Sequence, residues 1–231
     1  MSFLCETCPL RQTGVCAKLI GAEEINPEIA SKRESRSLPA KRYLQTSGNP
    51  GNELRIIREG WAATIADCGS AGVHVSQILL PGDPVAAALA SSAVPPRTVR
   101  SLTALEYCGF DGGFIRTLIR ENEWAQQLLL DITYQRTLDL QARLADLGVR
   151  DAEGRIVSLL LDIYRRLETR GLASGGTCDF RLSQQIIAEA TGLTQVHVSR
   201  VLKTLRERKL LWTNKQTLHI PDVERAQHLL Q

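Results

Sequence analysis

Hydrophobic positions recur at helical spacing in two short runs between Arg181 and Leu211. This pattern predicts two helices joined by a tight turn. Ser183 is a good N-cap for the first helix, and Thr194 caps a second helix that runs to about Arg208. Gly192, between the two runs, supplies the positive φ that a sharp turn needs.

The second predicted helix has two distinct faces. Its apolar stripe consists of Val198, Val201, Leu202 and Leu205. The opposite face, at spacings of three and four, consists of Gln195, Val196, Ser199, Arg200, Lys203 and Arg206. Such a face after a glycine turn is typical of a helix-turn-helix, whose second helix enters the major groove of DNA. The alternative is a helical hairpin with an ordinary solvated face.

The segment that follows favours DNA binding. Residues 210–213 and 217–220 read as two strands around the polar turn at 214–216, the pattern of a wing. Residues 181–231 hold eight basic and four acidic residues, a net charge of +4, whereas the rest of the chain carries −1. Binding to phosphates requires a local positive surplus of this kind.

Short alternating runs separated by turn residues fill residues 35–110. The runs are Tyr43–Leu44, Leu54–Ile57, Trp61–Ala66, Val73–Leu80 and Val99–Phe110. The turns lie at 47–52, 69–72 and 81–83. Short strands with glycine-rich turns about every dozen residues predict a small barrel or roll.

A long amphipathic helix is predicted from Phe114 to about Leu147. One roll cannot cover such a length, so the spacing favours a seam with a second copy of the chain, at Leu128, Ile132, Leu140 and Leu144. Packing wholly inside the monomer is the alternative. A hinge at 148–151, another helix at 156–167 and a glycine-rich loop at 170–178 lead to the first helix described above.

The composition narrows the class of protein. The 231 residues are 43% hydrophobic and 23% charged, with no run long enough to span a membrane and no signal peptide at the start. We therefore expect a cytoplasmic protein, in which cysteines are metal ligands or redox thiols more often than disulfides. The sequence contains no P-loop, G-x-S-x-G or H-E-x-x-H motif, so we expect no enzyme.

Cysteines are concentrated near the N-terminus, in CETCPLRQTGVC. Cys5, Cys8 and Cys16 are soft ligands in a segment without helical or strand periodicity, which predicts a loop wrapped around a metal. Zinc and an iron–sulfur cluster are both compatible with this spacing, and either needs a fourth ligand from elsewhere. Unliganded thiols in a mobile tail are the structural alternative.

The run GLTQVHVSRVLKTLRERKLL resembles the recognition region of the Crp/Fnr transcription regulators. The run ELRIIREGW and the later QILLPGD are similar to the sensor roll of the same family. The resemblance implies an α+β fold, with a cysteine-rich segment (1–20), a cyclic-nucleotide-binding-like β-roll (21–113), a dimerisation helix and hinge (114–150) and a winged helix-turn-helix (151–231). It also implies a homodimer that binds a palindromic site on double-stranded DNA and contacts RNA polymerase.

Two features assign the branch of the family. One branch binds cyclic nucleotide through a Phe-Gly-Glu and an Arg-Ser pair after the Pro-Gly-Asp turn. Here that place has Ser91 and Ser92, no glutamate, and no arginine before Arg97, so we expect no cyclic nucleotide. The oxygen-sensing Fnr members instead have an N-terminal cysteine cluster and one cysteine at the end of the last roll strand, which is the position of Cys108.

By this resemblance, a 4Fe–4S cluster is held by Cys5, Cys8, Cys16 and Cys108. The gap before Cys16 is longer than in the best-known member, which is compatible with a cluster. Cys68 and Cys178 match no ligand position and are interpreted as structural. The alternatives are a thiol- or zinc-based redox regulator and, in another class, an iron–sulfur electron carrier or oxidoreductase.

The resemblance also assigns DNA contacts. The family's recognition helix commonly carries Glu-x-x-Ser-Arg, and this chain keeps Ser199 and Arg200 but has Val196 in place of the glutamate. Arg200 is expected to pair with a guanine, Gln195 with an adenine, and Val196 to contact a thymine methyl. Lys203 lies on the same face.

Overall fold

The computed structural model describes residues 3–21, 23–48, 52–69, 72–86, 98–214 and 216–230. Some positions named above therefore lie outside the described residues: Ser91, Ser92, Arg97, residues 49–51 and 70–71 of two predicted turns, and Lys215 of the wing turn. The chain divides into two compact units, residues 1–65 with 78–137, and residues 66–77 with 138–231.

The N-terminal segment is a succession of short helical turns, where the sequence predicted an irregular loop. These are α1 (Phe3–Glu6), a 3-10 turn (Pro9–Gln12), α2 (Gly14–Cys16), a π turn (Ala17–Gly21) and α3 (Pro27–Ser31). None is long enough to show a helical period in the sequence, which explains the error. Gly14 has a φ of 55°, so it can turn the chain into α2 without side-chain strain.

Among the described residues, eight strands form two four-stranded sheets, which is the predicted roll. The strands are β1 (Glu34–Leu38), β2 (Tyr43–Gln45), β3 (Glu53–Glu59), β4 (Ala62–Asp67), β5 (Val73–Leu79), β6 (Pro84–Ala86), β7 (Thr98–Ser101) and β8 (Leu105–Asp111). One sheet has the order β1-β8-β3-β6, and the other has the order β2-β7-β4-β5. The run 99–110, predicted as one strand, is two strands, and the edge strand β1 was missed because its residues are mostly exposed and do not alternate.

The sheet that contains β3 and β8 is apolar on both faces. Leu105 and Tyr107 of β8 pack with Ile57 of β3 in the core of the roll. Phe110 of β8 lies on the opposite face of the sheet from Tyr107 and packs with β3, α3 and the N-terminal turns. It is two residues after Cys108. Because side chains alternate along a strand, Cys108 lies on this second face.

The predicted long helix is two helices, α4 (Gly112–Glu121) and α5 (Glu123–Val149). The break lies at Asn122, whose backbone is extended at φ −131° and ψ 120°. Both its backbone N–H and its Nδ2 donate to the carbonyl of Leu118, at 3.0 Å each. A short polar side chain that bonds the preceding turn in this way competes with continuation of the helix.

The C-terminal region is a winged helix-turn-helix, as predicted. Its elements are α6 (Ala152–Thr169), β9 (Ala173–Ser174), β10 (Thr177–Asp179), α7 (Gln184–Thr191), α8 (Gln195–Glu207), β11 (Trp212–Thr213), β12 (Thr217–His219) and α9 (Val223–His228). The segment 170–178, predicted as a loop, contains β9 and β10, which complete a four-stranded sheet of order β11-β12-β10-β9. In the described ranges, the chain has no helix with the length and apolar character of a membrane span.

Candidate functional site

The turn between α7 and α8 has the predicted geometry. Ser183 Oγ accepts from the Ile186 N–H at 3.3 Å, and Thr194 Oγ1 accepts from the His197 N–H at 3.2 Å. Gly192 ends α7 in the left-handed region, at φ 68°. The two caps and the glycine therefore fix the direction in which α8 leaves the turn.

One face of α8 is fully available to a partner. The exposed residues are Gln195, Val196, Ser199, Arg200, Lys203 and Arg206, and Val196 is 61% exposed although it is apolar. The opposite stripe is buried at Val198, Leu202 and Leu205. This arrangement presents amide, hydroxyl and guanidinium groups on a rigid helix, which are the groups that pair with base edges and phosphates.

The wing beside α8 is a two-stranded hairpin. Trp212 of β11 stacks on His219 of β12 with ring centroids 5.3 Å apart. The Asn214 side-chain oxygen accepts from the backbone N–H groups of Gln216 and Thr217, at 3.0 and 2.8 Å, and so closes the turn. Leu210 and Leu211, predicted as part of the first strand, are instead buried before it.

A second candidate site lies on the outer face of the β3–β8 sheet. Cys5 is in α1, Cys8 is the residue before the 3-10 turn, and Cys16 ends α2. Cys108 lies in the middle of β8, opposite Ser35 of β1 and Ile56 of β3, and so not at the strand end that the sequence predicted. Cys5 is buried, and the other three are partly buried.

The structure brings the four cysteines together around one cavity. The wall consists of Cys5, Cys8, Cys16 and Cys108, the guanidiniums of Arg11, Arg33 and Arg58, and the apolar side chains of Ile20, Ile56 and Phe110. Within the described ranges, no three histidine, cysteine, aspartate or glutamate side chains converge closely enough to hold a single metal ion. The thiols thus surround a space and do not meet at a point.

Four cysteine thiols are a donor set that both an iron–sulfur cluster and zinc can take. Four thiolates on one zinc lie about 2.3 Å from it, so their sulfurs must converge. In a 4Fe–4S cluster each thiolate binds a different iron, so the four sulfurs lie around the group and not at one point. The described wall supplies four thiols, the number of ligands that such a cluster takes.

The described wall of this cavity carries positive charge. Burial raises the pKa of the Cys5 thiol, while the neighbouring Arg33 and Arg11 guanidiniums act in the opposite direction. Arg33 Nη1 lies 3.7 Å from Cys108 Sγ, within hydrogen-bonding distance for sulfur. Since no carboxylate belongs to the wall among the described residues, the cavity favours an anionic occupant.

The sequence did not single out the three arginines. Arg58 lies two residues after Ile56 on β3, so alternation alone places those two on one face. The pairing of β3 with β8 that puts this face beside Cys108 is not encoded in any local pattern. The two remaining cysteines are remote from the cavity wall: Cys68 is exposed near the β4–β5 turn, and Cys178 is buried in β10.

The four predicted seam residues have different surroundings on α5. Leu128 is 8% exposed and Ile132 is partly buried, both packed against the core that contains Cys5. Leu140 is half-buried, whereas Leu144 is 72% exposed. The large apolar side chains that α5 exposes are Trp124, Leu130, Tyr134, Leu138, Leu144 and Val149.

Comparison with known sequences identifies the C-terminal domain. Residues 154–228 match the family model of the Crp-like helix-turn-helix domain. The global nitrogen regulator of Nostoc is 37% identical over 109 residues, which are 46% of this chain and 48% of that protein. The chain thus matches about half the length of this curated relative. The global nitrogen regulator of Synechocystis is 28% identical over 209 residues, 87% of this chain and 89% of that protein.

Solved structures share the fold over most of this chain. FixK2 from Bradyrhizobium japonicum has a TM-score of 0.76 at 18% identity and covers 85% of this chain and 96% of its own. A CooA mutant from Carboxydothermus hydrogenoformans has a TM-score of 0.72 at 16% identity and covers 95% and 96%. At these identities the similarity concerns the fold: a roll, a long helix and a helix-turn-helix.

Proposed function

We propose that this chain is a transcription regulator of the Crp/Fnr family that binds palindromic double-stranded DNA as a cytoplasmic homodimer and catalyses no reaction. The observation that carries the proposal is the exposed amide, hydroxyl and guanidinium face of α8 on a Crp-like helix-turn-helix domain. Two such helices in a dimer would meet half-sites one helical turn apart, about 34 Å. RNA polymerase is the partner that transcription control requires.

The proposed signal is oxygen, and the proposed sensor is a 4Fe–4S cluster held by Cys5, Cys8, Cys16 and Cys108. The cavity that these four residues line is the supporting observation. Such a cluster, when bound, supplies a group that oxygen degrades. The chain's own residues provide the thiolates, an apolar wall that limits water, and three cationic side chains.

The packing of the cysteine segment supports a link to dimerisation. Cys5, Leu19 and Ile20 belong to the same hydrophobic core as Leu128 of α5, and Cys16, Cys108 and Ile132 pack against it. Lys18 in the π turn also forms an ion pair with Asp131 of α5. Any rearrangement of the cysteine segment must therefore disturb the first half of α5. We infer that cluster loss weakens the dimer and so lowers DNA affinity.

The curated relatives support a second candidate signal. They are named global nitrogen regulators, so a response to nitrogen status is the alternative to oxygen sensing. The two candidates share the DNA-binding half of the proposal and differ in the sensor.

Anaerobic purification with iron and sulfide analysis tests the sensor. We expect about four irons and four sulfides per chain in the wild-type protein, with loss of colour in air. Cys108→Ser should abolish stable assembly, whereas the matched variant Cys68→Ser, in an exposed turn, should retain it. One zinc per chain without sulfide would refute the cluster and favour a zinc- or thiol-based regulator.

Electrophoretic binding to a palindromic promoter fragment tests the DNA-binding half separately. An iron–sulfur electron carrier would show no sequence-dependent shift. Anaerobic protein should bind more tightly than the same protein after exposure to air. If the anaerobic and the air-exposed protein bind DNA equally although the cluster is completely lost, oxygen control is refuted. A response to nitrogen status is then the favoured alternative.

A further inference from the structure

Three arginines surround the four-cysteine cavity, and each comes from a different part of the chain. Arg11 belongs to the 3-10 turn, Arg33 lies between α3 and β1, and Arg58 belongs to β3. We call them the arginine trio. All three line the same cavity as Cys5, Cys8, Cys16 and Cys108, whose described wall contains no carboxylate.

The three guanidiniums are held in different ways. Arg11 Nη1 donates to the Gly21 carbonyl at 3.2 Å, which ties the N-terminal turns together. Arg58 forms an ion pair with Glu106 of β8, so part of its charge is already balanced. Arg33 Nη1, in contrast, points at a proposed ligand, Cys108 Sγ, at 3.7 Å.

The backbone fixes Arg33 in this place. Residue 33 lies directly before β1, whose Ser35 is paired with Cys108 of β8. Arg33 also lines the cavity together with Cys5, which lies on the N-terminal segment. One guanidinium thus faces thiols from the two parts of the chain that the proposed site must join.

A 4Fe–4S cluster bound by four thiolates is dianionic in its oxidised form and gains a further negative charge when one electron is added. A nearby guanidinium lowers the energy of both forms, but it lowers the more negative one further, and hydrogen bonds to ligand sulfurs act in the same direction. A positively lined cavity therefore raises the reduction potential of the group that it holds.

We propose that the arginine trio, with Arg33 the most important, compensates the charge of a tetrathiolate metal group and raises its reduction potential. Arg33 is a positioning residue that donates to Cys108 Sγ and forms no bond to the metal. This inference rests on the proposed sensor function. In the redox step, one electron passes from an added reductant to the cluster, and Arg33 neither gains nor loses a proton.

Reduction potentials of the full-length protein, reconstituted anaerobically and titrated with dithionite, test this inference. In Arg33→Gln the ratio of reduced to oxidised cluster at a fixed potential should fall roughly tenfold, which is about 59 mV for a one-electron couple. Arg33→Lys keeps the charge and should restore most of the difference. Arg120→Gln is the matched control, because Arg120 lies on α4 and is 73% exposed. Equal potentials in Arg33→Gln and Arg120→Gln would overturn the proposal.

Two further outcomes complete the test. If Arg33→Gln fails to fold, Arg11→Gln should lower the potential in the same direction, and an unchanged potential would count against the trio. If the wild-type protein binds no cluster, the proposed sensor fails and this inference fails with it, whereas equal potentials in protein that does hold a cluster overturn this inference alone.

Discussion

An arginine on a recognition helix can read a guanine or hold a phosphate, and binding data distinguish the two roles. Arg200 is exposed on α8, beside Ser199. If it reads a base, Arg200→Ala should cost about 1–3 kcal/mol on the best site and remove the preference at one position. The comparison is Lys203→Ala, which removes a side chain that is 78% exposed. We expect that variant to weaken binding to all sequences alike. The slope of log affinity against log salt concentration should become shallower by about one. A uniform loss in Arg200→Ala would make Arg200 a phosphate contact.

Val196 determines how this chain departs from the family's usual half-site. Its side chain is 61% exposed on α8 and cannot accept a hydrogen bond. Random-site selection with the wild-type protein should therefore return a base pair other than the family's at this position. Val196→Glu restores a carboxylate that accepts from a cytosine, so it should change the preference there and nowhere else. If wild-type protein and variant select the same base pair, Val196 does not face that position.

Cys178 should make the protein less stable in alkaline solution. Burial, and next the Asp179 carboxylate, raise the pKa of the Cys178 thiol from 9.0 to about 12. Between these pH values the unfolded chain loses the proton while the folded chain keeps it, so the unfolding free energy falls as the pH rises. Chemical unfolding of wild type and Cys178→Ala from pH 8 to pH 11 should show a steeper loss in the wild type. Parallel curves would mean that the thiol ionises equally in both states.

At the scale of elements, the π turn Ala17–Gly21 connects the cysteine segment to α5. Leu19 is 3% exposed in the core that also contains Leu128. Leu19→Ala should lower the unfolding free energy by about 2–5 kcal/mol and shorten the lifetime of the bound cluster in air. Leu210→Ala, a similar change in the C-terminal domain, should lower stability without affecting that lifetime. Equal cluster lifetimes in the two variants would show that packing on α5 does not protect the site.

The sequence predicted best those elements whose signals are local. Ser183, Gly192 and Thr194 set the bounds of α7 and α8 through caps and one positive φ, all of which can be read from adjacent residues. The break at Asn122 was missed because apolar spacing continues across it. The Asn122 side chain, which bonds the Leu118 carbonyl, is the feature that favours the end of α4.

Predicting the cysteine cavity requires contacts between residues that are far apart in the sequence. Cys108 is about ninety residues from Cys16, and the register of β8 against β1 and β3 decides which face it occupies. The spacing singled out Cys5, Cys8 and Cys16, and the resemblance to a family added Cys108. Neither supplied the three arginines of the wall, because no local pattern reports which side chains a sheet face shares with a distant segment. The ligand set therefore remains a prediction from resemblance, now supported by geometry.

At the scale of the whole molecule, the proposed regulation depends on how strongly two chains associate through α5. The structure separates two groups among the predicted seam residues. Leu128 and Ile132 pack within their own chain, so a charge there would damage the fold as well as any dimer. Leu144 is 72% exposed and shares α5 with the exposed Leu130 and Tyr134, so it tests association without disturbing the monomer core.

Leu144→Glu should therefore weaken self-association by at least about tenfold, or roughly 1.4 kcal/mol, because a carboxylate would be buried in an apolar seam. DNA affinity should fall with it, since two recognition helices must be fixed relative to each other to meet both half-sites. Gln135→Glu adds the same carboxylate at another exposed position of α5 and should leave the dimer unchanged. Sedimentation velocity measures association, and iron analysis of the same samples establishes that the sensor is intact. An unchanged dimer in Leu144→Glu would move the seam to another surface and remove α5 from the proposed link between the cysteines and DNA.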